Sequence, residues 1–168
     1  MTGPRYRSER LSAGHDVSVL CCGNTSLDTW LREHAATAQA KRISVTYVWT
    51  NGGKVVVAYY SLAPHVIERA GLPRRLGRGD PRQIPAILLA RLAVDQKLQG
   101  AGLGGILLSD ALSRAVAASH QIGGRYVVVD AIDQRAESFY QHHGFVVTPV
   151  RRRLVRKISD IEADIKQS

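Results

Sequence analysis

A glycine-rich segment between an apolar run and an amphipathic helix constrains this chain more than any other part of its sequence. Residues 87–94 are apolar apart from Arg91, and such a run is typical of a buried strand. From residue 107 to residue 115, apolar side chains recur at three- and four-residue spacing, which predicts an amphipathic helix. Gly100, Gly102 and Gly104 lie between these two stretches. The sequence therefore predicts a strand, a glycine loop and a helix in succession.

Such a loop suits a ligand that carries phosphate. Glycine has no Cβ, so a ligand can approach the backbone closely. The first amides of a helix lack partners within the helix and lie at the positive end of its dipole. Together these features form a site for phosphate or pyrophosphate. The alternative is a turn that only ends the strand, and a glycine loop by itself does not exclude it.

One candidate ligand is a dinucleotide. Gly100, Gly102 and Gly105 match the G-x-G-x-x-G pattern of dinucleotide-binding folds, and Asp130 lies where such folds place a ribose-binding acid. In those folds, however, the first glycine lies close to the end of its strand. Here five residues separate Val94 from Gly100, and the chain after Asp130 is too short for a second mononucleotide-binding half.

The other candidate ligand is coenzyme A. Gln99, Gly102 and Gly104 form a Q-x-x-G-x-G pattern. This pattern resembles the pyrophosphate loop of the GNAT acetyltransferases, which bind acetyl-coenzyme A. Because the spacing argues against a dinucleotide, we favour coenzyme A.

Composition limits the remaining possibilities. The 168 residues suffice for one domain with one sizeable core. The net charge of +9 favours a polyanionic partner, although a basic surface can also serve solubility alone. No apolar run approaches the ~20 residues that cross a bilayer, and the N-terminus lacks the apolar core of a signal peptide. We therefore expect a cytoplasmic protein that does not contact a membrane.

The cysteines and histidines do not predict a metal site. Cys21 and Cys22 are adjacent and lack C-x-x-C spacing, so we expect two small buried side chains. His142 and His143 are neighbours on a predicted helix and point about 100° apart, which makes them a poor chelating pair.

The first half of the chain contains further turn and cap signals. Residues 5–11 predict a short edge strand, and Thr25 or Ser26 is expected to cap a helix that reaches residue 41. Residues 44–50 and 54–62 predict two strands joined at Asn51-Gly52-Gly53, a strong hairpin signal. Residues 63–85 hold four prolines and five arginines and predict a long basic loop.

The second half continues the pattern of alternating strands and helices. A strand is expected at 126–130, followed by a helix that Asp133 caps and Gly144 ends. Short strands are expected at 145–147 and 154–158, followed by a polar tail at 159–168. We expect a single domain over residues 1–168.

Several motifs in order strengthen the coenzyme A interpretation. CGNTSLDTWLREHA lies near the start, QGAGLGGILLSDAL in the middle, and FYQHHGF some thirty residues later. Over residues 20–150 the chain resembles the GNAT toxins of bacterial toxin–antitoxin pairs, which acetylate aminoacyl-tRNA. The resemblance implies an α/β GNAT fold, in which about four helices flank a central, mixed, twisted sheet of six to seven strands.

The resemblance also implies roles for particular residues. The backbone of Leu92, Ala93 and Val94 would pair with the pantetheine arm of acetyl-CoA. Tyr140, in FYQHHGF, matches the catalytic tyrosine of the family. Asp133 stands where many GNAT enzymes have an Asn that contacts pantetheine. The pyrophosphate would be held by Gln99, Gly100, Ala101, Gly102, Leu103 and Gly104.

Acetyl transfer requires an unprotonated amine, a donor to the developing oxyanion, and a proton for the leaving thiolate. Tyr140 is the candidate acid, because a phenol with a pKa near 10 stays protonated at neutral pH. An α-amine titrates near 7.7–8.0, against about 10.4 for lysine, so an α-amine needs little help to lose its proton. Glu33, Glu68 or a water molecule could serve as the base.

Two basic clusters are candidates for contact with the phosphates of tRNA. Arginine suits such contacts because its planar guanidinium can form two hydrogen bonds to one phosphate. Contacts of this kind position a nucleic acid without reading its sequence. The candidate residues are Arg75, Arg78, Arg82, Arg151, Arg152 and Arg153.

The favoured function is a toxin that acetylates the α-amine of the amino acid on charged tRNA and so blocks translation. The resemblance implies a homodimer and a ribbon-helix-helix antitoxin, and binding of promoter DNA through the complex with that antitoxin. One alternative is a GNAT enzyme acting on a protein N-terminus, a lysine or a small amine. Another is a basic nucleic-acid-binding protein with a vestigial coenzyme A pocket.

Overall fold

The computed structural model describes residues 6–168, which contain seven strands and five α-helices. The strands are β1 (Glu9–Arg10), β2 (Val45–Thr50), β3 (Val56–Glu68), β4 (Gln83–Val94), β5 (Tyr126–Asp130), β6 (Val146–Val147) and β7 (Arg153–Lys157). The helices are α1 (Thr25–Glu33), α2 (Ala35–Ala40), α3 (Leu103–Ile122), α4 (Gln134–His142) and α5 (Ile158–Gln167).

The strands form one mixed sheet in the order β1-β2-β3-β4-β5-β7-β6. β4 pairs with β5 in parallel, whereas β2 pairs with β3, and β5 with β7, in the antiparallel sense. The predicted mixed α/β sheet of six to seven strands is confirmed. The number of helices is five, against the expected four or so.

The chain divides into two compact units, each with its own core. Unit 1 comprises residues 6–63 with Arg91–Asp110, and unit 2 comprises Pro64–Ala90 with Ala111–Ser168. The core of unit 1 contains Leu11, Leu20, Leu31, Ala35, Val48, Val56, Tyr59 and Ala93. The core of unit 2 contains Ile67, Leu72, Ile84, Ala86, Tyr126, Val128 and Val155.

The predicted hairpin is present, but the basic loop after it is shorter than expected. The prediction of a loop over 63–85 is wrong at both ends, because β3 runs to Glu68 and β4 begins at Gln83. Buried Ile67 and Ile84 explain the extension, since both pack in the core of unit 2. Each extension carries an exposed proline, Pro64 in β3 and Pro85 in β4. We call the segment that remains between the two strands, residues 69–82, the arginine loop.

Two further expectations from the sequence are wrong. The polar tail at 159–168 belongs to α5, which buries Ile158 and Ile161 at helical spacing. The cap of α1 is Asn24 rather than Thr25 or Ser26, because the Asn24 side chain accepts a hydrogen bond from the Leu27 amide.

Other boundaries agree more closely with the sequence. The bounds of β5 and β7 lie within one residue of the strands expected at 126–130 and 154–158. β6 covers most of the strand expected at 145–147. At the N-terminus, β1 contains only Glu9 and Arg10, whereas the predicted strand began at residue 5, outside the described residues. No helix within residues 6–168 combines the length and apolar character needed to span a bilayer.

Candidate functional site

The glycine loop takes a conformation that selects glycine through its backbone torsions. Gly100 and Gly102 have φ values of 89° and 77°, a region that L side chains rarely adopt. No heavy atom lies within 4 Å of a Cβ added at either position, so backbone conformation rather than lack of space is what requires glycine. Both residues are exposed. Their backbone is therefore free for a ligand to approach.

The amides that follow Gly102 lie at the start of α3. The Ile106 amide donates to the Gly102 carbonyl at 3.4 Å, which marks the first turn of the helix. The amides of Leu103 and Gly104 precede that bond and have no carbonyl four residues earlier within the helix. These donors, at the positive end of a 20-residue helix, can bind an anion.

The side chain of Gln99 braces the approach to the glycine loop. Its Nε2 donates to the carbonyls of Val94 and Cys22, each at 2.8 Å. Because its amide donor is engaged with the protein, the side chain of Gln99 fixes the loop internally. A hydrogen bond from Gln99 to an anionic ligand would then come from its backbone amide.

The segment at Cys21 and Cys22 is the partner of this brace, a role that sequence reasoning missed. The Gln96 amide donates to the Cys21 carbonyl at 2.9 Å, and the Cys21 amide donates to the Asp95 carboxylate at 3.2 Å. The expectation of two buried cysteines is wrong for Cys21, which is exposed, while Cys22 is half-buried. The C-G pair in the sequence was the available signal, because Gly23 has a φ of 95° and lies against Gln96.

The last residues of β4 are the predicted pantetheine-binding edge. Parallel pairing of β4 with β5 is present from Ala86 to Leu88, and β4 then continues to Val94. Ala93 and Val94 are buried and Leu92 is half-buried, so their side chains pack while the backbone continues as a strand. An extended ligand can bind such an edge as an added strand does.

Arg91, the charged residue within this apolar strand, has a structural explanation in unit 1. Its guanidinium carbon lies 4.0 Å from the ring centroid of Trp30, and the Trp30 ring stacks on Tyr59. Burial lowers the pKa of Arg91, and the ring face supplies the compensating attraction.

Tyr140 lies on α4 in unit 2 and is buried, with 9% of its surface exposed. Its ring packs edge-on against Phe139 and Phe145, with centroids 5.2 and 5.5 Å apart. Burial raises the pKa of the phenol well above its ordinary value, so the hydroxyl stays protonated. Within residues 6–168, that hydroxyl has no hydrogen-bond partner, which leaves it available to a substrate.

Asp133 caps α4, as the sequence predicts. Its Oδ1 accepts from the Ala136 amide at 2.8 Å, and the residue is exposed. An ionised carboxylate can only accept hydrogen bonds, whereas an Asn at this position could also donate. Any contact of Asp133 with pantetheine is therefore limited to accepting.

The six predicted tRNA-binding arginines all lie in unit 2 and differ in their availability. Arg152 donates to Glu137 at 3.2 Å, and Arg153 forms two bonds of 2.8 Å to Asp130. Those two guanidinium groups already contact carboxylates. The other four predicted arginines are exposed: Arg75, Arg78, Arg82 and Arg151.

The arginine loop is anchored by a buried carboxylate that sequence reasoning missed. Asp80 is 7% exposed and accepts from Arg125 Nε at 2.9 Å and from the Tyr126 hydroxyl at 3.3 Å. The Arg69 side chain donates to the Asp80 carbonyl at 2.8 Å, and Leu72 packs in the core of unit 2. The loop therefore presents its arginines from a fixed backbone.

Side chains that could bind a metal ion do not cluster in the part of the chain that the structure describes. Residues 6–168 hold no group of three or more His, Cys, Asp or Glu side chains that could bind a metal ion.

Comparison with known proteins places this geometry in context. Residues 42–147 match the model of the family described as acetyltransferase (GNAT) domain. The chain is 41% identical over 140 residues to a tRNA-acetylating toxin of Mycobacterium tuberculosis, a match covering 83% of this chain and 84% of that protein.

Two solved structures are also similar. The first is AtaT complexed with acetyl-methionyl-tRNAfMet, with a TM-score of 0.89 and 28% identity, covering 96% of this chain and 99% of that one. The second is a tyrosine-to-phenylalanine mutant of AtaT bound to the C-terminus of the antitoxin AtaR and to acetyl-CoA. Its TM-score is 0.83 at 27% identity, and it covers 96% of this chain and 99% of that one.

Proposed function

The chain belongs to the GNAT acetyltransferase family, and from that premise we propose that it transfers the acetyl group of acetyl-CoA to the α-amine of the amino acid on charged tRNA. Modified in this way, the aminoacyl-tRNA no longer supplies a free amine for peptide bond formation, and the protein acts as a toxin. The observation that carries the proposal is the 41% identity, over 83% of the chain, with a protein named tRNA-acetylating toxin.

Acetyl-CoA would bind along β4 and the start of α3. The exposed backbone of Gly100 and Gly102 and the first amides of α3 would hold the pyrophosphate. The backbone of residues 92–94 would pair with the pantetheine arm. Support for this cofactor comes from the family and from AtaT, whose structure contains acetyl-CoA.

Tyr140 would supply the proton that the leaving thiolate needs. The α-amine attacks the thioester carbonyl, a C–N bond forms and the C–S bond breaks. The nitrogen loses one proton to solvent, and sulfur gains one from the Tyr140 hydroxyl, which solvent then reprotonates. A phenol whose pKa is raised by burial is fully protonated when the amine attacks.

An α-amine is the preferred acceptor because it requires no strong base. Its pKa of about 7.7–8.0 leaves a substantial neutral fraction at cellular pH, whereas lysine is almost wholly charged. The negative charge of tRNA matches the predicted arginines that are exposed, Arg75, Arg78, Arg82 and Arg151, which would contact its phosphates. Charged tRNA and acetyl-CoA meet in the cytoplasm, where we place the activity.

The deciding experiment incubates the protein with charged total tRNA and labelled acetyl-CoA. We expect label on aminoacyl-tRNA that is lost when the ester bond is hydrolysed, and none on deacylated tRNA. Absence of label on charged tRNA, together with label on protein N-termini, lysines or small amines in a parallel reaction with a cell extract, would favour a GNAT enzyme of another specificity. Calorimetry that detects no acetyl-CoA binding would favour a nucleic-acid-binding protein.

We also propose an antitoxin partner. AtaT, a structural relative of this chain, binds the C-terminus of the antitoxin AtaR. By that similarity the chain would bind an antitoxin of its own, of the ribbon-helix-helix type, act as a homodimer, and reach promoter DNA only through that complex. Co-expression with its antitoxin should relieve the growth arrest that the toxin causes, and light scattering of the purified protein should report twice the 18.4 kDa mass of one chain.

A further inference from the structure

Unit 2 contains a cavity of about 430 Å³ in which basic side chains from two distant parts of the chain meet. Its lining includes Arg75, Leu76, Val146, Arg156, Lys157 and Asp160. We call it the basic pocket. Its volume lies within the range of small-ligand sites, and its lining combines apolar and charged side chains.

The charges of the basic pocket leave two cations available to a ligand. Arg156 pairs with Asp164. Arg75 and Lys157 form no ion pair within residues 6–168, and the only carboxylate lining the pocket is Asp160. The Arg156–Asp164 pair is neutral. The two positive charges of Arg75 and Lys157 and the one negative charge of Asp160 therefore leave the pocket with a net charge of +1. An anion placed between Arg75 and Lys157 would satisfy both cations.

Packing fixes the backbone at Arg75 and the guanidinium of Arg156. Leu76 and Val146 pack against the core of unit 2, and the Leu76 amide donates to the Pro73 carbonyl at 2.9 Å. Leu76 therefore fixes the backbone beside Arg75. Gly144 has a φ of 90°, and a Cβ there would come within 3.0 Å of Arg156 Nε, so a glycine is what lets this guanidinium lie against the backbone. A preorganised cation loses less entropy on binding than a mobile one.

We propose that the basic pocket binds a backbone phosphate of the RNA substrate, with Arg75 and Lys157 as its direct contacts. This inference rests on the proposed function, and it selects two residues from a surface on which many arginines are exposed. Phosphate is the chemistry that the pocket recognises. It could come from the RNA backbone or from the 3′-phosphate of coenzyme A, and the structure favours RNA because the pocket is lined by β6, β7 and the arginine loop rather than by the glycine loop.

The test compares substitutions that remove the same charge at adjacent positions. Arg75→Gln and Lys157→Gln remove pocket contacts. Arg74→Gln is the matched control, because Arg74 is exposed in the same loop but does not line the basic pocket. Binding of deacylated tRNA is measured between 50 and 400 mM salt, thermal melts check folding, and KM is measured for acetyl-CoA and for dephospho-acetyl-CoA.

We expect each pocket variant to flatten the slope of log affinity against log salt by about 0.7–0.9, and to weaken tRNA binding about five- to eightfold at 0.1 M salt. Arg74→Gln should change both quantities by much less, and KM for acetyl-CoA should not move. Equal losses in Arg74→Gln and Arg75→Gln would overturn the inference, because general charge would then explain them.

The remaining outcomes separate this inference from the proposed function. A rise in KM for acetyl-CoA, but not for its dephospho form, would assign the pocket to coenzyme A and overturn the RNA assignment. If the wild type binds tRNA and the pocket variants bind it equally well, the assignment of the basic pocket is overturned but the proposed function is not. If the wild type binds neither deacylated nor charged tRNA, the proposed function itself is overturned.

Discussion

The hydroxyl of Tyr140 is the one group in the proposed chemistry whose removal should leave the rest of the protein intact. Its ring contacts Phe139 and Phe145, and the hydroxyl forms no hydrogen bond within residues 6–168. Tyr140→Phe therefore preserves packing and removes the proton donor. We expect kcat to fall about 10²–10⁴-fold with little change in KM or in the free energy of unfolding.

Steady-state kinetics with charged tRNA check this prediction, and a thermal melt checks the fold. Because burial raises the pKa of Tyr140, wild-type kcat should show no alkaline decline from tyrosine ionisation below about pH 10. Retention of more than a tenth of kcat by Tyr140→Phe would assign the proton donor elsewhere, with water as the first alternative.

Among the elements, the glycine loop should depend on the hydrogen bonds from Gln99 to the Cys22 and Val94 carbonyls. Gln99→Leu removes two hydrogen bonds, each worth about 1 kcal/mol, and loosens the loop without touching its glycines. We expect KM for acetyl-CoA to rise about five- to thirtyfold. With S-acetylpantetheine, which has no pyrophosphate, KM should stay unchanged.

The comparison of the two acetyl donors separates loop positioning from a general effect. Gln141→Leu is the control, because Gln141 is an exposed glutamine on α4. An equal rise of KM for both donors would show that Gln99 supports the fold rather than the pyrophosphate site. Unchanged KM for acetyl-CoA would mean that the loop is ordered without this brace.

The arginine loop is the second element whose order can be tested. Asp80 is buried and joins the loop to Arg125 and Tyr126, so Asp80→Asn should release the backbone of residues 69–82 and let trypsin bind it as an extended segment. We expect cleavage in this loop to accelerate at least tenfold and the unfolding free energy to fall by about 1–3 kcal/mol.

The matched control for Asp80 is Asp130→Asn. Asp130 also contacts an arginine, Arg153, but its side chain is half exposed, and exposed ion pairs contribute little. That variant should leave the arginine loop resistant to trypsin. Equal cleavage in both variants, or in neither, would show that Asp80 is not the anchor.

These elements also show what sequence could and could not predict. Residues 87–94 and 126–130 gave reliable strands because their apolar runs are bounded by polar residues and turns. The end of β3 was missed because Pro64 and the polar residues around it are typical of loops, while the burial of Ile67 depends on tertiary contacts. The helix α5 was missed for the same reason, since Ile158 and Ile161 are the apolar pair that packs it.

The candidate site also has features that the sequence could predict and features that it could not. Local patterns predicted the glycine loop and the Asp133 cap, because each depends on neighbours in sequence. Tyr140, in contrast, was predicted from the resemblance to a family. The Asp80 anchor and the contact of Gln99 with Cys22 could not be predicted, because Arg125 lies 45 residues from Asp80 and Cys22 lies 77 residues from Gln99. For the same reason, the sequence could not show which arginines are free to contact tRNA and which are paired with carboxylates.

At the scale of the whole molecule, two histidines of unit 2 link stability to pH. Burial, with a further contribution from Arg153, lowers the pKa of His65; burial, His142 and Arg156 lower the pKa of His143. Each histidine binds a proton less readily in the folded state than in the unfolded one. The stability they contribute is therefore present above the unfolded pKa of about 6.5 and is lost as pH falls below it.

We expect the free energy of unfolding, measured in urea, to decline between pH 6.5 and 5, before most carboxylates begin to titrate. In the double variant His65→Gln, His143→Gln this decline should be smaller, whereas His34→Gln, at an exposed histidine of unit 1, should keep it. A decline of the same size in the double variant would show that other groups cause it. Because the positive charges of Arg153 and Arg156 contribute to the lowered pKa values, the decline should also weaken when salt screens them.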